Sequence, residues 1–307
     1  MSCSTASLPY WSSAAERPTS RRRRLDNFWR ICTAAVPASH GAVNAPEGVL
    51  IDLDAVVYVG DAALPGSLEA IERLRAAGLP YRFVTNTTRR PLRRIVEDLP
   101  RLGLSVSPEE IYTPAALARS FLLQRGLAPF LVTHPDLQEE FADIAAGSGE
   151  AVVIGDAGEF FTYDLLNRAY RKIIGGAVFL ALAKNRCFLD RDGELSLDAG
   201  RFVKGLEFAS GREALVLGKP SPTFFSLAVS GLHRPADRVA MIGDDAEADV
   251  GGAMAAGLMG VLVRTGKYQT GREARLPQRP TFVAENLEAA VVWLLESPER
   301  EAPPETR

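Results

Sequence analysis

The 307-residue chain carries 35 basic and 38 acidic side chains, for a formal charge of −3 and a pI near 5.8, so its folded body has no basic field with which to hold nucleic acid. With 47% hydrophobic residues it can bury ordinary cores, its length is comfortable for two domains, and no apolar run reaches membrane-spanning length. Three histidines and three cysteines, scattered without metal or redox spacing, leave little material for a zinc site or for histidine catalysis; carboxylates must do any chemistry. The cysteine usage fits a reducing cytoplasm.

In chain order, residues 1–46 are rich in Ser, Ala, Pro and Arg, lack periodicity and carry the block Arg21-Arg22-Arg23-Arg24. The expectation is a disordered extension, whose Arg- and Ser-rich composition also fits an organelle-targeting leader. Gly48-Val49-Leu50-Ile51-Asp52-Leu53-Asp54 then reads as a buried parallel strand that stops on two carboxylates. One residue separates Asp52 from Asp54, so an ideal strand sends both to one face, where they need a counter-cation or a shared proton. For this stretch alone, a pair of helix-capping or loop acids explains it equally well. Leu68, Ile71, Leu74 and Ala77 recur at helical spacing until Gly78. Residues 80–86 give a second strand ending on Thr85 and Asn86, and 92–102 a helix whose last turn is perturbed by Pro100.

The same rhythm returns late in the chain: a strand over 214–219 ending on Lys219, a helix over 222–232, a strand over 239–245 ending on Asp244 and Asp245, a small-residue helix over 250–257, a strand over 260–264 and a helix over 287–295. Repeated β-α-β alternation implies an α/β fold, a doubly wound parallel sheet of Rossmann type. Between the halves lie strands over 130–132, 151–155 and 177–183, a helix over 163–174 and a hairpin turn at Asp190-Arg191-Asp192-Gly193, which read as an inserted α/β domain. The division expected is 1–46 extension, 47–112 with 209–296 core, 113–208 inserted cap and 297–307 flexible tail.

Taken together, the strand ends deliver Asp52 and Asp54, Thr85 and Asn86, Lys219, then Asp244 and Asp245 to the expected carboxyl edge of one sheet, with Asp249 just beyond. Phosphoryl transfer asks for such parts: a carboxylate nucleophile, a hydroxyl and amides for phosphate oxygens, a Lys, and hard oxygen ligands for Mg²⁺. Singly, Thr85 reads as a helix cap, Lys219 as a loop lysine and the late acids as a cluster favoured by a helix dipole. Four strand ends in agreement outweigh these readings.

These residues resemble the haloacid dehalogenase-like hydrolases: Asp52-Leu53-Asp54, Val84-Thr85-Asn86, Gly218-Lys219-Pro220 and Gly243-Asp244-Asp245 with Asp249 are similar to the family's four motifs. The resemblance runs from residue 48 to about 296 and is nearest to the branch with a large cap between the second and third motifs. It implies Asp52 as nucleophile and Mg²⁺ ligand, and Asp54 as acid and base whose backbone carbonyl helps hold the metal. Thr85 and Asn86 would bind the phosphoryl group, Lys219 would bridge Asp52 and phosphate, Asp244 would complete the metal site, and Asp245 and Asp249 would support it. The implied partner is a small phosphorylated molecule (a phosphomonoester, a phosphoamidate or pyrophosphate) with no nucleic acid and no membrane; a homodimer is compatible with all of this. Cap residues would set specificity, and Lys184, Asn185 and Arg186 form a polar cluster after a cap strand.

Two departures stand out. Ala55 occupies the place where the family pattern has glycine, which stiffens the turn if that site needs positive φ. Asp54 stands where relatives in this branch often carry Ser, and it favours full phosphatase competence. A phospho-receiver module places its acidic pair before the acceptor Asp and has no large insertion, and a dehalogenase needs neither Asp54 nor Asp244. A catalytically silent binding protein of the same fold remains the alternative.

Overall fold

The computed structural model describes residues 45–145, 147–189 and 194–296. The expected extension up to residue 44, the turn at 190–193 and the tail at 297–307 lie outside the described residues. Among the described residues no helix is long and apolar enough to cross a membrane.

The chain enters on β1 (Gly48–Asp52), buried at every position. A small hairpin of β2 (Tyr58–Val59) and β3 (Ala62–Ala63) follows, then α1 (Ser67–Ala76), β4 (Tyr81–Val84), α2 (Leu92–Asp98) with a 3₁₀ turn Leu99–Leu102, and β5 (Ile111–Tyr112). The second region runs through α3 (Pro114–Arg125), β6 (Leu127–Val132), β7 (Gly149–Ile154), α4 (Tyr163–Ile174), β8 (Val178–Ala181), β9 (Cys187–Leu189), β10 (Leu195–Leu197), α5 (Gly200–Ser210) and β11 (Leu215–Val216). The chain closes with α6 (Pro222–Ser230), β12 (Val239–Gly243), a wide π-type turn Ala246–Gly251, α7 (Gly252–Ala255), β13 (Met259–Val263), β14 (Phe282–Ala284) and α8 (Leu287–Glu296).

The first sheet has the order β14-β13-β12-β1-β4-β5 with every pair parallel. From β1 the chain builds outward through β4 and β5 on one side and later through β12, β13 and β14 on the other. The order therefore reverses between β1 and β12, which is where open α/β sheets form their crevice. Central strands covered on both faces read as continuous apolar runs, which explains why β1 and β12 show no alternation. Val49, Ile51, Phe83, Ile242 and Val261 join Ile71 and Leu74 of α1 and Leu287 and Val291 of α8 in one core. Each such side chain contributes about 1.5–3 kcal/mol on burial, enough to pin the register that aligns Ile51 with Phe83 and Ile242.

A second, four-stranded parallel sheet, β11-β8-β7-β6, forms the additional cap. Val132, Val152, Ile154, Phe179 and Ala181 of this sheet pack with Ala169 and Ile173 of α4 and Val203 and Leu206 of α5. Composition and periodicity place the return to the first sheet at 209 and set Lys219 at the end of a first-sheet strand; the structure corrects both. The helix α5 runs through 209, and β11 pairs with β8 (Leu215 with Leu180, Val216 with Ala181), so the chain rejoins the first sheet only at β12. An apolar run of this length shows that a strand exists but not which partner it pairs with. The helix expected over 250–257 is instead the π-type turn followed by α7, because Asp245 caps that turn through Glu247 and Ala248 while Asp249 turns inward.

Candidate active site

Asp52 ends β1 with its side chain buried, and its Oδ1 accepts the Leu53 N–H at 2.9 Å. Lys219 reaches it from the other sheet: Nζ lies 2.7 Å from Asp52 Oδ1 and 2.7 Å from Asp249 Oδ1, with only 3% of the lysine side chain exposed. Asp249 uses its other oxygen to accept the Asp245 N–H at 3.0 Å, which ties the loop after β12 to the lysine. Lys219 is held by its backbone as well as by its charge. The Asn86 side chain donates to the Lys219 carbonyl at 2.9 Å and accepts the Lys219 N–H at 2.8 Å. This clamp uses Oδ1 and one of the two Nδ2–H donors of the Asn86 side chain.

Asp244 follows β12 and is fully buried; its Oδ2 accepts the Lys267 N–H at 2.6 Å. Its Oδ1 is buried with no hydrogen-bond partner. Such an orphaned oxygen costs free energy unless a ligand completes it. One carboxylate oxygen each from Asp52, Asp244 and Asp249 lies within 4.8 Å of the others. Three hard oxygen donors suit Mg²⁺, and the residues fit that ion. Asp54 is half-buried, and its Oδ2 accepts the Thr85 hydroxyl at 3.2 Å. Thr85, itself buried, in turn accepts the Thr87 N–H at 3.1 Å, so the hydroxyl is fixed between the turn and Asp54.

The electrostatics follow from burial of more acid than base. Burial and the neighbouring Asp249 push Asp52 well above the usual carboxylate range, against the pull of Lys219. Burial and Asp249 push Asp244 up to about 7. Burial would lower Lys219, but Asp249 and Asp52 outweigh it and hold the ammonium protonated. The triad is therefore short of positive charge, which a divalent cation would supply.

Of the residues expected at the site, Asp52, Lys219, Asp244 and Asp249 come together, Asp54 and Thr85 pair beside them, and Asn86 braces Lys219. Asp245 acts as a turn cap. Lys184 of the cap cluster is committed to Glu207, with Nζ 2.7 Å from Oε1. Two residues escaped the sequence reading. The Tyr58 ring is buried with its hydroxyl toward Asp54 and Arg90, and burial raises its pKa. Lys267 sits exposed in the loop after β13, and the carboxylates of Asp52, Asp244 and Asp249 outweigh the cost of its partial burial and raise its pKa. The strand-end rule that found the acids also applies to β13, and Gly266-Lys267 follows that strand.

Ala55 has φ +63, so the strain anticipated for a non-glycine residue is present. A cost of roughly 1–2 kcal/mol attaches to that conformation. Gly266 explains what the turn packs against: a Cβ there would lie 2.2 Å from Ala55 Cβ and 2.2 Å from Asp244 Oδ2.

A family model described as haloacid dehalogenase-like hydrolase matches residues 49–146, and one described as HAD-hydrolase-like matches residues 216–290. The chain is 40% identical over 252 residues to haloacid dehalogenase-like hydrolase domain-containing protein 2 of Bos taurus, covering 82% of this chain and 97% of that protein. It is 41% identical over 255 residues to phospholysine phosphohistidine inorganic pyrophosphate phosphatase of Rattus norvegicus, covering 81% of this chain and 94% of that protein. Among solved structures, the 4-nitrophenylphosphatase of Thermotoga maritima superposes with a TM-score of 0.74 at 26% identity, over 81% of this chain and 98% of that one.

Proposed function

Because the chain belongs to the haloacid dehalogenase-like hydrolases and is a phosphatase among them, we propose that it hydrolyses a small phosphorylated substrate in two displacements through a phosphorylated Asp52. The substrate is a phosphomonoester, a phosphoamidate or pyrophosphate, the compound classes that the names of the similar phosphatases span.

In the first displacement an Asp52 oxygen attacks phosphorus, the bond to the leaving group breaks, and Asp54 gives that group its proton. In the second, Asp54 takes a proton from water, the water oxygen attacks phosphorus, and the bond to Asp52 breaks to release phosphate. The Thr85 hydroxyl and the backbone of Asn86 hold phosphoryl oxygens, and Lys219 neutralises charge on Asp52 and on the phosphoryl group. Asp52, Asp244 and the Asp54 carbonyl would hold Mg²⁺, which supplies charge neutralisation for the transferring group.

The observation that carries this reading is the placement of Lys219 Nζ at 2.7 Å from both Asp52 and Asp249, beside the unpartnered Asp244 Oδ1. Buried carboxylate oxygens are ordinarily partnered, so the orphaned Asp244 Oδ1 supports a site that a ligand completes. The test is release of phosphate from 4-nitrophenyl phosphate by the full chain with and without Mg²⁺. Turnover that needs the ion is expected; none under any divalent condition would leave the fold as a binding protein.

A further inference from the structure

The turn that carries Thr85 and Asn86 is also where the two sheets are joined. Asp156 lies just past the carboxyl end of β7, and its side chain is 7% exposed. Arg89 Nε donates to Asp156 Oδ2 at 2.5 Å, and Arg89 Nη2 and the Gly158 N–H donate to Oδ1 at 3.4 and 3.0 Å. The Asp156 N–H donates to Thr88 Oγ1 at 3.0 Å, and its carbonyl accepts the His134 N–H at 3.1 Å. The approach leaves no room to spare. A Cβ at Gly155 would lie 3.3 Å from Thr88 Cβ, and one at Gly158, where φ is +54, would lie 3.2 Å from Arg89 Nη2.

The same core segment continues along the cap: the Leu92 N–H donates to Glu140 at 3.0 Å, and the Arg93 fork meets Glu139 at 3.1 Å through both nitrogens. Those contacts are exposed or half-exposed and screened by solvent, whereas the Asp156 carboxylate is shielded. A guanidinium fork on a shielded carboxylate fixes direction as well as distance. On its other flank the turn touches Asp54 through Thr85 and braces Lys219 through Asn86.

We propose that Arg89 and Asp156 form a positioning pair that locks the turn Thr85–Arg89 to the edge of the cap sheet, so that the seat of the cap and the aim of Thr85 and Asn86 are set by one joint. Neither residue touches the reacting atoms; both act through the turn. The inference rests on the phosphatase reading for its kinetic consequence but not for its structural one.

The experiment combines hydrogen exchange with kinetics on the full chain, for wild type, Arg89→Ala, Arg89→Lys and Asp156→Asn. The amides of 85–89 and of 154–158 are expected to lose protection together in Arg89→Ala and Asp156→Asn. In the same variants kcat for 4-nitrophenyl phosphate is expected to fall about 10–100-fold, the cost of misplacing positioned groups by a fraction of an ångström to an ångström. Arg89→Lys keeps the charge and loses the fork, so it should fall between wild type and Arg89→Ala on both readouts. Loss of protection confined to 154–158 with kcat unchanged would overturn the proposal, as would Arg89→Lys behaving like wild type on both. A wild-type chain that turns over no phosphate ester counts against the phosphatase mechanism, while the exchange data still decide the joint.

Discussion

Two buried carboxylate–lysine clusters in this molecule use the same parts to opposite ends. In the cap, Glu207 is 7% exposed and receives Lys184 Nζ at 2.7 Å, Lys204 Nζ at 3.0 Å and the Ala214 N–H at 3.0 Å. Burial alone would raise Glu207, but these donors bring it below the usual carboxylate range. At the core edge, Asp52 and Asp249 share Lys219, an oxygen of the neighbouring Asp244 is left orphaned, and Asp52 and Asp244 are pushed up. A satisfied cluster holds the fold together; an unsatisfied one holds a place for something that arrives later. Lys184, which follows a cap strand in a polar cluster, has its ammonium engaged by Glu207.

The contrast breaks most sharply on the nucleophile. Asp52→Asn should lower turnover on the order of 10⁴-fold or more while the protein stays folded, because no other group can carry the phosphoryl. Glu207→Gln should do the reverse: lower the melting temperature, at a cost of about 1–3 kcal/mol, and leave turnover per folded molecule unchanged. Steady-state kinetics beside thermal melts of both variants decide the matter, and equal kinetic losses would erase the distinction.

Within the core cluster, Asp54→Asn should cut turnover by roughly 10²–10⁴ with a small change in Mg²⁺ requirement. Asp244→Asn should first raise the Mg²⁺ needed for half-activation, since a carboxylate ligand becomes a neutral amide. Alkyl phosphates should suffer more than aryl phosphates in Asp54→Asn, because aryl leaving groups need little protonation. Matching losses on both substrates together with matching Mg²⁺ shifts would give Asp54 a metal role instead.

The two clusters also differ in the sign of their pH dependence. Asp52 and Asp244 are acids whose folded pKa is raised above the unfolded value of about 3.9. Their contribution to stability is whole below that value and is lost as pH rises toward and through about 7 for Asp244. Glu207 is lowered, so its contribution is present above its unfolded value and disappears as pH falls. In chelator, the melting temperature should therefore drop between about pH 5 and pH 8, and excess Mg²⁺ should remove most of the drop. A chelated protein that grows more stable over that interval contradicts the assignment. The smallest effect belongs to Ala55→Gly, which relieves the φ +63 strain at some entropic cost; a net gain of about 0.5–1 kcal/mol is expected in thermal melts, with kinetics little altered.

What could be read from the sequence was what local pattern encodes. Asp52, Thr85 and Asp244 lie at or just past the ends of strands whose apolar runs are unmistakable, and Asp249 follows Asp244 closely enough to be drawn into the same turn. Pairing over distance was not legible. Asn86 clamps the backbone of Lys219 from 133 positions away, and Arg89 meets Asp156 across 67. Nothing local in Leu215–Val216 says that β11 joins the cap sheet. The helix α3 escaped because apolar Ala116 and Leu123 lie off the buried face of Ala115, Leu117, Ala118, Phe121 and Leu122, which blurs the contrast between its faces. The strand β14 escaped because it has only three residues and follows closely on Pro280.

The central claim is that Asp52 itself becomes phosphorylated, and acid quench of the full chain during turnover of a phosphoryl-labelled substrate tests it most directly. The account predicts label on the peptide bearing Asp52 in the wild type and none in Asp52→Asn. Label on a different residue, or continued turnover by folded Asp52→Asn, would contradict it.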